Sequence, residues 1–166
     1  MKKNLILPLA CSLMLVLSAR ADEDAFVTFK SLNLETATEV AKGALTECRI
    51  RGFQVAVAVV DRAGSLQVLL RDRFAGPHTP ETARRKAWTA ISFRTDTQEL
   101  AEVTQPGEMV SGTRQIKEAL MLGGGVQILS AGSIVGGIGV SGAPGGDSDD
   151  LCARAGITAI EDKLDF

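Results

Sequence analysis

Two short β-rich runs joined by four turn residues constrain the fold more than any other part of this sequence. VAVAVVD, at 55–61, has the unbroken apolar composition of a buried strand, and LQVLLR, at 66–71, follows after the turn residues RAGS. A connection this short pairs the two strands as an antiparallel hairpin, whereas a parallel crossover needs a dozen residues or more. We therefore expect an antiparallel sheet and not a βαβ unit.

A second hairpin and several helices complete the predicted architecture. VQIL, at 126–129, and IVGGIGVS, at 134–141, flank the turn residues Ala131-Gly132-Ser133. Helical spacing of apolar residues and capping signals predict the remaining elements: a helix over 33–51, a helix over 80–94 capped by Thr79, a short helix over 96–103, and a closing helix capped by Asp147 or Ser148. This order of elements predicts an α+β fold, in which helices pack on an antiparallel sheet.

The stretch GIGVSG, at 137–142, matches the G-x-G-x-x-G fingerprint of dinucleotide-binding loops. A true fingerprint follows the first strand of a βαβ unit and opens a helix, but this one lies inside a late strand with only 24 residues after it. The acidic residues Asp147, Asp149 and Asp150, at the start of the next helix, would also repel a pyrophosphate. The glycines therefore indicate close approach of the strand to a helix, a neighbouring subunit or a flat ligand, and these three alternatives stay open.

The first 21 residues have the composition of a secretory signal peptide. Two lysines precede an apolar run that is too short for a membrane span, and Ala19-Arg20-Ala21 has the small-x-small form of a signal-peptidase site. We expect cleavage after Ala21, which leaves a single domain over 22–166 in the periplasm or outside the cell.

Charge and cysteine content narrow the class of function. The chain has a formal net charge of −2 and no basic cluster larger than Arg84-Arg85-Lys86, which disfavours nucleic-acid binding. Cys48 and Cys152 remain after removal of the signal peptide, and both a disulfide and a pair of buried free thiols are compatible with the sequence. The cysteine and histidine spacing does not match a zinc site.

Three segments together resemble a known family. The segment GGGVQILSAGSIVGGIGVSGAPGGDSDDLCARAG, at 123–156, resembles the signature of the GlcG/HbpS family of haem-binding proteins, also known as the domain of unknown function 336 family. ARRKAWTA, at 83–90, has the A-x-x-K-A-x-T-A form of that family, and VAVAVVDRAGSL fits as well. The resemblance implies profilin-like α/β/α layers around the antiparallel sheet.

The resemblance also implies functional properties. It implies self-association into a homo-oligomer and, as in some family members, haem binding. One role implied by the family is the sensing of haem or iron together with a partner sensor protein. Haem breakdown is an activity that has been proposed for the family. A further role implied by the family is in glycolate or diol metabolism, and in that role the ligand would be a small organic acid.

If the protein binds haem, some of its residues must ligate the haem iron and others must pair with the haem propionates. The chain has one histidine, His78, and no tyrosine, so His78 is the candidate iron ligand, with Met109 and Met121 as alternatives. Together with His78, the predicted cofactor-binding residues are Arg73, Phe74, Thr79, Lys86 and Trp88. The competing interpretation is a solvated polar face with methionines that fill the core.

A catalytic constellation is not visible in the sequence. A single histidine excludes a two-histidine metal site, and Ser141 does not lie in the Gly-x-Ser-x-Gly pattern of a nucleophile elbow. Acidic pairs such as Asp96 with Glu99 are explained by helix capping and the helix dipole. The sequence leaves open whether the protein is an enzyme.

Overall fold

The computed structural model describes residues 25–164. The predicted signal peptide over 1–21 lies outside the described residues, so its cleavage and the export of the protein stay predictions. Among the residues that are described, none of the helices has the length and apolar character needed to cross a membrane.

The helices and strands follow the predicted order. In chain order they are α1 (Leu34–Ile50), β1 (Ala56–Asp61), β2 (Leu66–Arg71), α2 (Thr79–Phe93), α3 (Thr97–Val103), β3 (Gly125–Ser130), β4 (Ser133–Ser141) and α4 (Gly146–Thr158). The sheet has the order β2-β1-β4-β3, and each neighbouring pair of strands is antiparallel. The predicted α+β fold and both hairpins are confirmed.

The sheet is covered by helices on both faces, which explains why β1 is buried from Ala56 to Val60. Val57 and Val59 contribute to the larger core, which α1 and α4 complete. The alternate residues Ala56 and Ala58 face Ala83 of α2 on the other side. Because side chains of a strand point alternately to the two faces, a run of small and β-branched apolar residues suits this central position, and the layers are α/β/α.

A disulfide joins the two helices on the same face of the sheet. Cys48 of α1 and Cys152 of α4 are bonded, with their Cα atoms 5.5 Å apart. Both residues are fully buried in the larger core. The structure thus decides between the two alternatives that the sequence left open, in favour of the disulfide.

The glycines of GIGVSG allow α2 to lie directly against β4. A Cβ atom on Gly139 would stand 2.0 Å from the carbonyl oxygen of Ala83, and one on Gly137 would stand 2.6 Å from Cγ2 of Ile91. Real Cβ atoms do not approach other atoms this closely, so only glycine fits at these two positions. Of the three alternatives for the glycines, close packing against a helix is the one that the structure contains.

The predicted caps of α2 and α4 are wrong. Thr79 is the first residue of α2 and His78 is its N-cap, without a side-chain capping bond. The Thr79 hydroxyl does not cap the helix, since it donates to the carbonyl of Gly76 at 2.8 Å. The helix α4 begins earlier than predicted, with Gly145 as its N-cap and without a capping side chain. Its first amide groups are therefore left to other partners.

Candidate functional site

A cavity of about 470 Å³ opens where α2 and α4 begin. Its walls come from the first turns of both helices, the end of β4 with the loop that follows it, and the segment 120–122. The volume lies within the range of small-molecule sites, about 300–1,000 Å³. A larger cavity, of about 590 Å³, lies between 29–36 and Leu164, but it borders both ends of the described chain. We therefore take the cavity at the two helix starts as the candidate site, and call it the α2–α4 cavity.

A buried ion pair forms one wall of the α2–α4 cavity. The ammonium group of Lys86, on α2, donates to Oδ2 of Asp149, on α4, at 2.7 Å and to the carbonyl of Val140, on β4, at 2.9 Å. The side chain of Lys86 is fully buried. The other oxygen of Asp149 accepts from the amide of Ala143 at 3.0 Å. Lys86 therefore connects the two helical layers at the end of β4.

A glycine makes room for this lysine. A Cβ atom on Gly124 would stand 3.1 Å from the Lys86 ammonium and 2.9 Å from the Val140 carbonyl. Gly124 also has a φ of +108°, a conformation that side chains rarely adopt. Gly124, immediately before β3, thus leaves the space that the buried ion pair occupies.

Burial acts on both members of the ion pair in the direction that disfavours charge. Loss of solvent lowers the pKa of Lys86 below its usual value, and the charge of Asp149 opposes this shift. Loss of solvent raises the pKa of Asp149 above its usual value, and the charge of Lys86 opposes that shift. Each group therefore depends on the other to stay ionised in the interior.

Arg85 stabilises the wall of the cavity that lies opposite the ion pair of Lys86 and Asp149. Its guanidinium donates to the carbonyls of Lys117, Glu118 and Ala119, at 3.1, 3.3 and 2.7 Å. The hydroxyl of Thr89 accepts from the amide of Leu120 at 2.9 Å. These contacts fasten the segment 117–120 to α2. They place Leu120 and Leu122 in the cavity lining.

The structure brings three of the six predicted cofactor-binding residues together. His78, Thr79 and Lys86 all line the α2–α4 cavity. His78 is exposed at the rim, where its ring lies over Gly76, while Thr79 and Lys86 are buried.

The other three predicted residues are not part of the cavity lining. Arg73 and Phe74 are exposed on the loop before α2, and the Arg73 guanidinium carbon lies 5.9 Å from the centre of the Phe74 ring. Trp88 lies farther along α2 and packs against the β1–β2 turn at Gly64. These placements describe where the side chains lie, and ligand binding by any of the six stays a prediction.

The two alternative iron ligands differ in their surroundings. Met109 is almost completely exposed, whereas Met121 is buried with Leu100 and Ala119 in a small core cluster. Met121 therefore fills the core in this structure, as the competing interpretation of the sequence expected for both methionines.

Sequence reasoning missed Asp149 and gave Ser141 no role, although both line the cavity. A signal for Asp149 was present, because Asp149, Cys152, Ala153 and Gly156 recur at helical spacing and are all buried. In the same way, Lys86 interrupts the apolar stripe of α2. A charged residue within each of two apolar stripes suggests a buried ion pair between the helices.

The matching family model covers most of the chain. A protein-family model described as haem degrading protein HbpS-like matches residues 32–158. Corrinoid adenosyltransferase PduO of Salmonella typhimurium is 30% identical over 132 residues, which is 78% of this chain and 39% of PduO. The chain thus spans about two fifths of the length of this curated relative.

Solved structures of HbpS-like proteins are also similar to this chain. HbpS of Streptomyces reticuli, in the form of a double mutant, is 38% identical with a TM-score of 0.77, and the match covers 92% of this chain and 99% of HbpS. PduOC in complex with haem is 30% identical with a TM-score of 0.73, and the match covers 78% of this chain and 95% of PduOC. Protein ORFY of Klebsiella pneumoniae, at 24% identity and a TM-score of 0.80, shares the fold.

Proposed function

Because the chain belongs to the HbpS-like family, we propose that it is a haem-binding protein. The observation that carries this proposal is the similarity of most of the chain to PduOC, a protein whose structure was solved in complex with haem. The family description, which includes haem degradation, points to the same ligand. The α2–α4 cavity is where we expect haem to contact this chain.

The residues at the rim of the α2–α4 cavity fit the chemistry of haem. His78 offers an exposed imidazole, which is a common ligand of haem iron. Leu120 and Leu122 offer apolar contact for the macrocycle. Arg85 can attract a propionate, since within residues 25–164 its hydrogen bonds go to main-chain carbonyls and not to a carboxylate. Arg73 and Phe74, on the adjoining loop, are further candidates for propionate pairing and stacking.

Lys86 has a supporting role in this proposal. Its ammonium is already engaged by Asp149 and by the Val140 carbonyl, so pairing with a propionate would break a buried ion pair. We infer that Lys86 stabilises the wall of the site, and that the exposed cations provide the contacts with the ligand.

A hemin titration tests the proposal. We expect a Soret shift that saturates at a fixed ratio of hemin to protein, and we expect His78→Ala to weaken binding by at least about tenfold, since even supporting residues of metal sites contribute 10- to 100-fold. Lys42→Ala is the control, because Lys42 is exposed on α1 and does not line the cavity. Absence of a Soret shift at any hemin concentration would contradict haem binding. An unchanged titration of His78→Ala would contradict iron ligation by His78.

The same sample tests for turnover of haem. Addition of a reductant to the complex, followed by loss of the Soret band, release of iron and appearance of a bile pigment, would identify haem breakdown. A stable spectrum under these conditions would identify binding without turnover.

We also propose that the protein is exported and forms a homo-oligomer. Support for export is the composition of residues 1–21, and support for self-association is the set of large exposed apolar side chains, which includes Phe26, Val27 and Phe74. Cell fractionation and the mass of the native protein by light scattering test the two proposals. Recovery of the protein in the cytoplasm, or a monomer mass, would contradict them.

A role in haem or iron sensing requires a partner protein. We propose a sensor protein as that partner, in accordance with the resemblance noted in the sequence. Capture of a membrane sensor by the tagged protein from the periplasm, in the presence but not the absence of hemin, would support this role, and equal recovery in both conditions would contradict it.

A further inference from the structure

The start of α4 borders the α2–α4 cavity through Gly145 and Gly146 and carries amide groups without an acceptor in the helix. Gly145 is the N-cap, no side chain caps the helix, and the first intrahelical bond runs from the amide of Asp149 to the carbonyl of Gly145 at 3.1 Å. The amides of Gly146, Asp147 and Ser148 precede that bond and have no acceptor within the helix. A helix start of this kind attracts an anion through its amides and through the helix dipole.

A largely buried serine also lines this cavity. Ser141 ends β4, lines the cavity and is only 4% exposed. Within the described part of the chain, its hydroxyl does not hydrogen-bond to another residue. The Ser141 hydroxyl does not belong to the fully enclosed polar atoms without a partner among the described residues, so it is open to the cavity. It is therefore a donor available to a ligand that carries an acceptor atom.

The charges around the cavity favour an anion, although the sequence suggested the opposite. Of the three acidic residues at the start of α4, Asp149 is paired with Lys86 at 2.7 Å and Asp150 is paired with Arg154 at 2.6 Å. The third, Asp147, is exposed and therefore screened by solvent. On the facing helix, Glu81 is paired with Arg84. This leaves Arg85, which within residues 25–164 has no carboxylate partner, as the cation of the cavity wall.

From these observations, we propose that the α2–α4 cavity contains a carboxylate-binding subsite. The carboxylate accepts from the Ser141 hydroxyl and from the amides at the start of α4, and the hydrocarbon part of the ligand contacts Leu120 and Leu122. A free small organic acid and a haem propionate carry the same group, so the subsite does not depend on haem binding. It extends the proposed function by assigning a defined chemistry to one end of the cavity.

Titration with sodium acetate tests the subsite directly. We expect saturable shifts of the amide resonances of Gly146, Asp147 and Ser148 in NMR spectra, recorded against sodium chloride at equal ionic strength. Ser141→Ala should weaken acetate binding about tenfold, as expected for a lost hydrogen bond to a charged acceptor. Ser133→Ala is the matched control, since Ser133 lies at the opposite, exposed end of β4.

A second variant should act in the opposite direction. Asp147→Asn removes an exposed negative charge from the first turn of α4, and we expect it to tighten acetate binding by about two- to fivefold. Because a misfolded variant cannot bind more tightly, this result separates loss of a contact from loss of structure. Equal affinities of the wild type, Ser141→Ala and Asp147→Asn, or absence of saturable shifts, would overturn the proposal.

Two further titrations identify the source of the carboxylate. If the subsite takes a haem propionate, acetate will compete with hemin, and hemin dimethyl ester will bind more weakly than hemin. If it takes a free acid, acetate will bind without an effect on hemin, and both forms of hemin will bind equally. A hemin titration that fails while acetate binds would contradict the haem proposal alone, and the reverse result would contradict the subsite alone.

Discussion

Replacing Lys86 by Met leaves the carboxylate of Asp149 in the interior without its positive partner. The two charged atoms are 2.7 Å apart, and at an effective dielectric constant of about 20 this separation corresponds to an attraction of about 6 kcal/mol. Part of that loss is recovered when Asp149 takes up a proton, so we expect a decrease of about 3–5 kcal/mol in the free energy of unfolding. Against a typical total of about 5–15 kcal/mol, this change is large.

The assay is urea unfolding, followed by the fluorescence of Trp88, the single tryptophan of the chain. Lys163→Met is the matched control, since Lys163 forms an ion pair with Glu39 at the surface, and we expect little change because exposed ion pairs contribute little. The double variant Lys86→Met with Asp149→Leu removes both buried charges and should regain most of the lost stability. A cost of Lys86→Met below about 1 kcal/mol, or a double variant no more stable than the single one, would refute the reasoning.

The pH dependence of the Lys86→Met variant follows from the direction of the Asp149 shift. Burial raises the pKa of Asp149 in the folded protein, and loss of the lysine charge raises this pKa further. When the pKa of a carboxyl is higher in the folded than in the unfolded protein, the folded state binds the proton more tightly. The resulting stabilisation is fully present at a pH below the pKa of the unfolded protein and is lost as the pH rises through the pKa of the folded protein. The destabilisation should therefore be greater at about pH 8 than at about pH 5, and equal destabilisation at both would contradict a buried charge as its cause.

Two further predictions concern packing and the disulfide. Gly139→Ala should lower the free energy of unfolding by about 3 kcal/mol, because the new methyl group would meet the carbonyl of Ala83; Gly112→Ala, where the new atom would meet nothing within 4 Å, is the control in the same urea assay. Reduction of the bond between Cys48 and Cys152, which closes a separation of 104 residues, should cost about 2–5 kcal/mol. An unchanged urea midpoint in dithiothreitol would contradict this second prediction, and equal stability of the two glycine variants would contradict the first.

Much of the fold could be predicted because its signals are local. The turn residues between VAVAVVD and LQVLLR, and the unbroken apolar run of β1, are signals that lie within a few residues of each other along the chain. The apolar spacing of α1 and the position of Pro80 at the start of α2 are local in the same sense. The caps of α2 and α4 were misplaced because capping depends on the path of the chain before the helix, which residue type alone does not determine.

The candidate site could be predicted only in part. His78, Thr79 and Lys86 were identified through a resemblance, and the structure brings these three to one cavity. Asp149 was missed because it lies 63 residues from Lys86, and the only trace of the pair is a charge within each apolar stripe. Ser141 was considered only as a nucleophile, and its position in the lining of the cavity became visible only in the structure.

The sequence by itself determined the hairpins, the helices and the class of fold, since backbone propensity and apolar periodicity act over a few residues. It also contained the family signature, in which the glycines of GIGVSG are prominent. Only the tertiary structure decided that Gly137 and Gly139 face α2 and that the two cysteines are bonded. It also decided that Asp149 is neutralised by Lys86, 63 residues away along the chain. Charge balance in a cavity depends on which groups meet across the fold, and for that reason the acidic start of α4 became a candidate site for an anion.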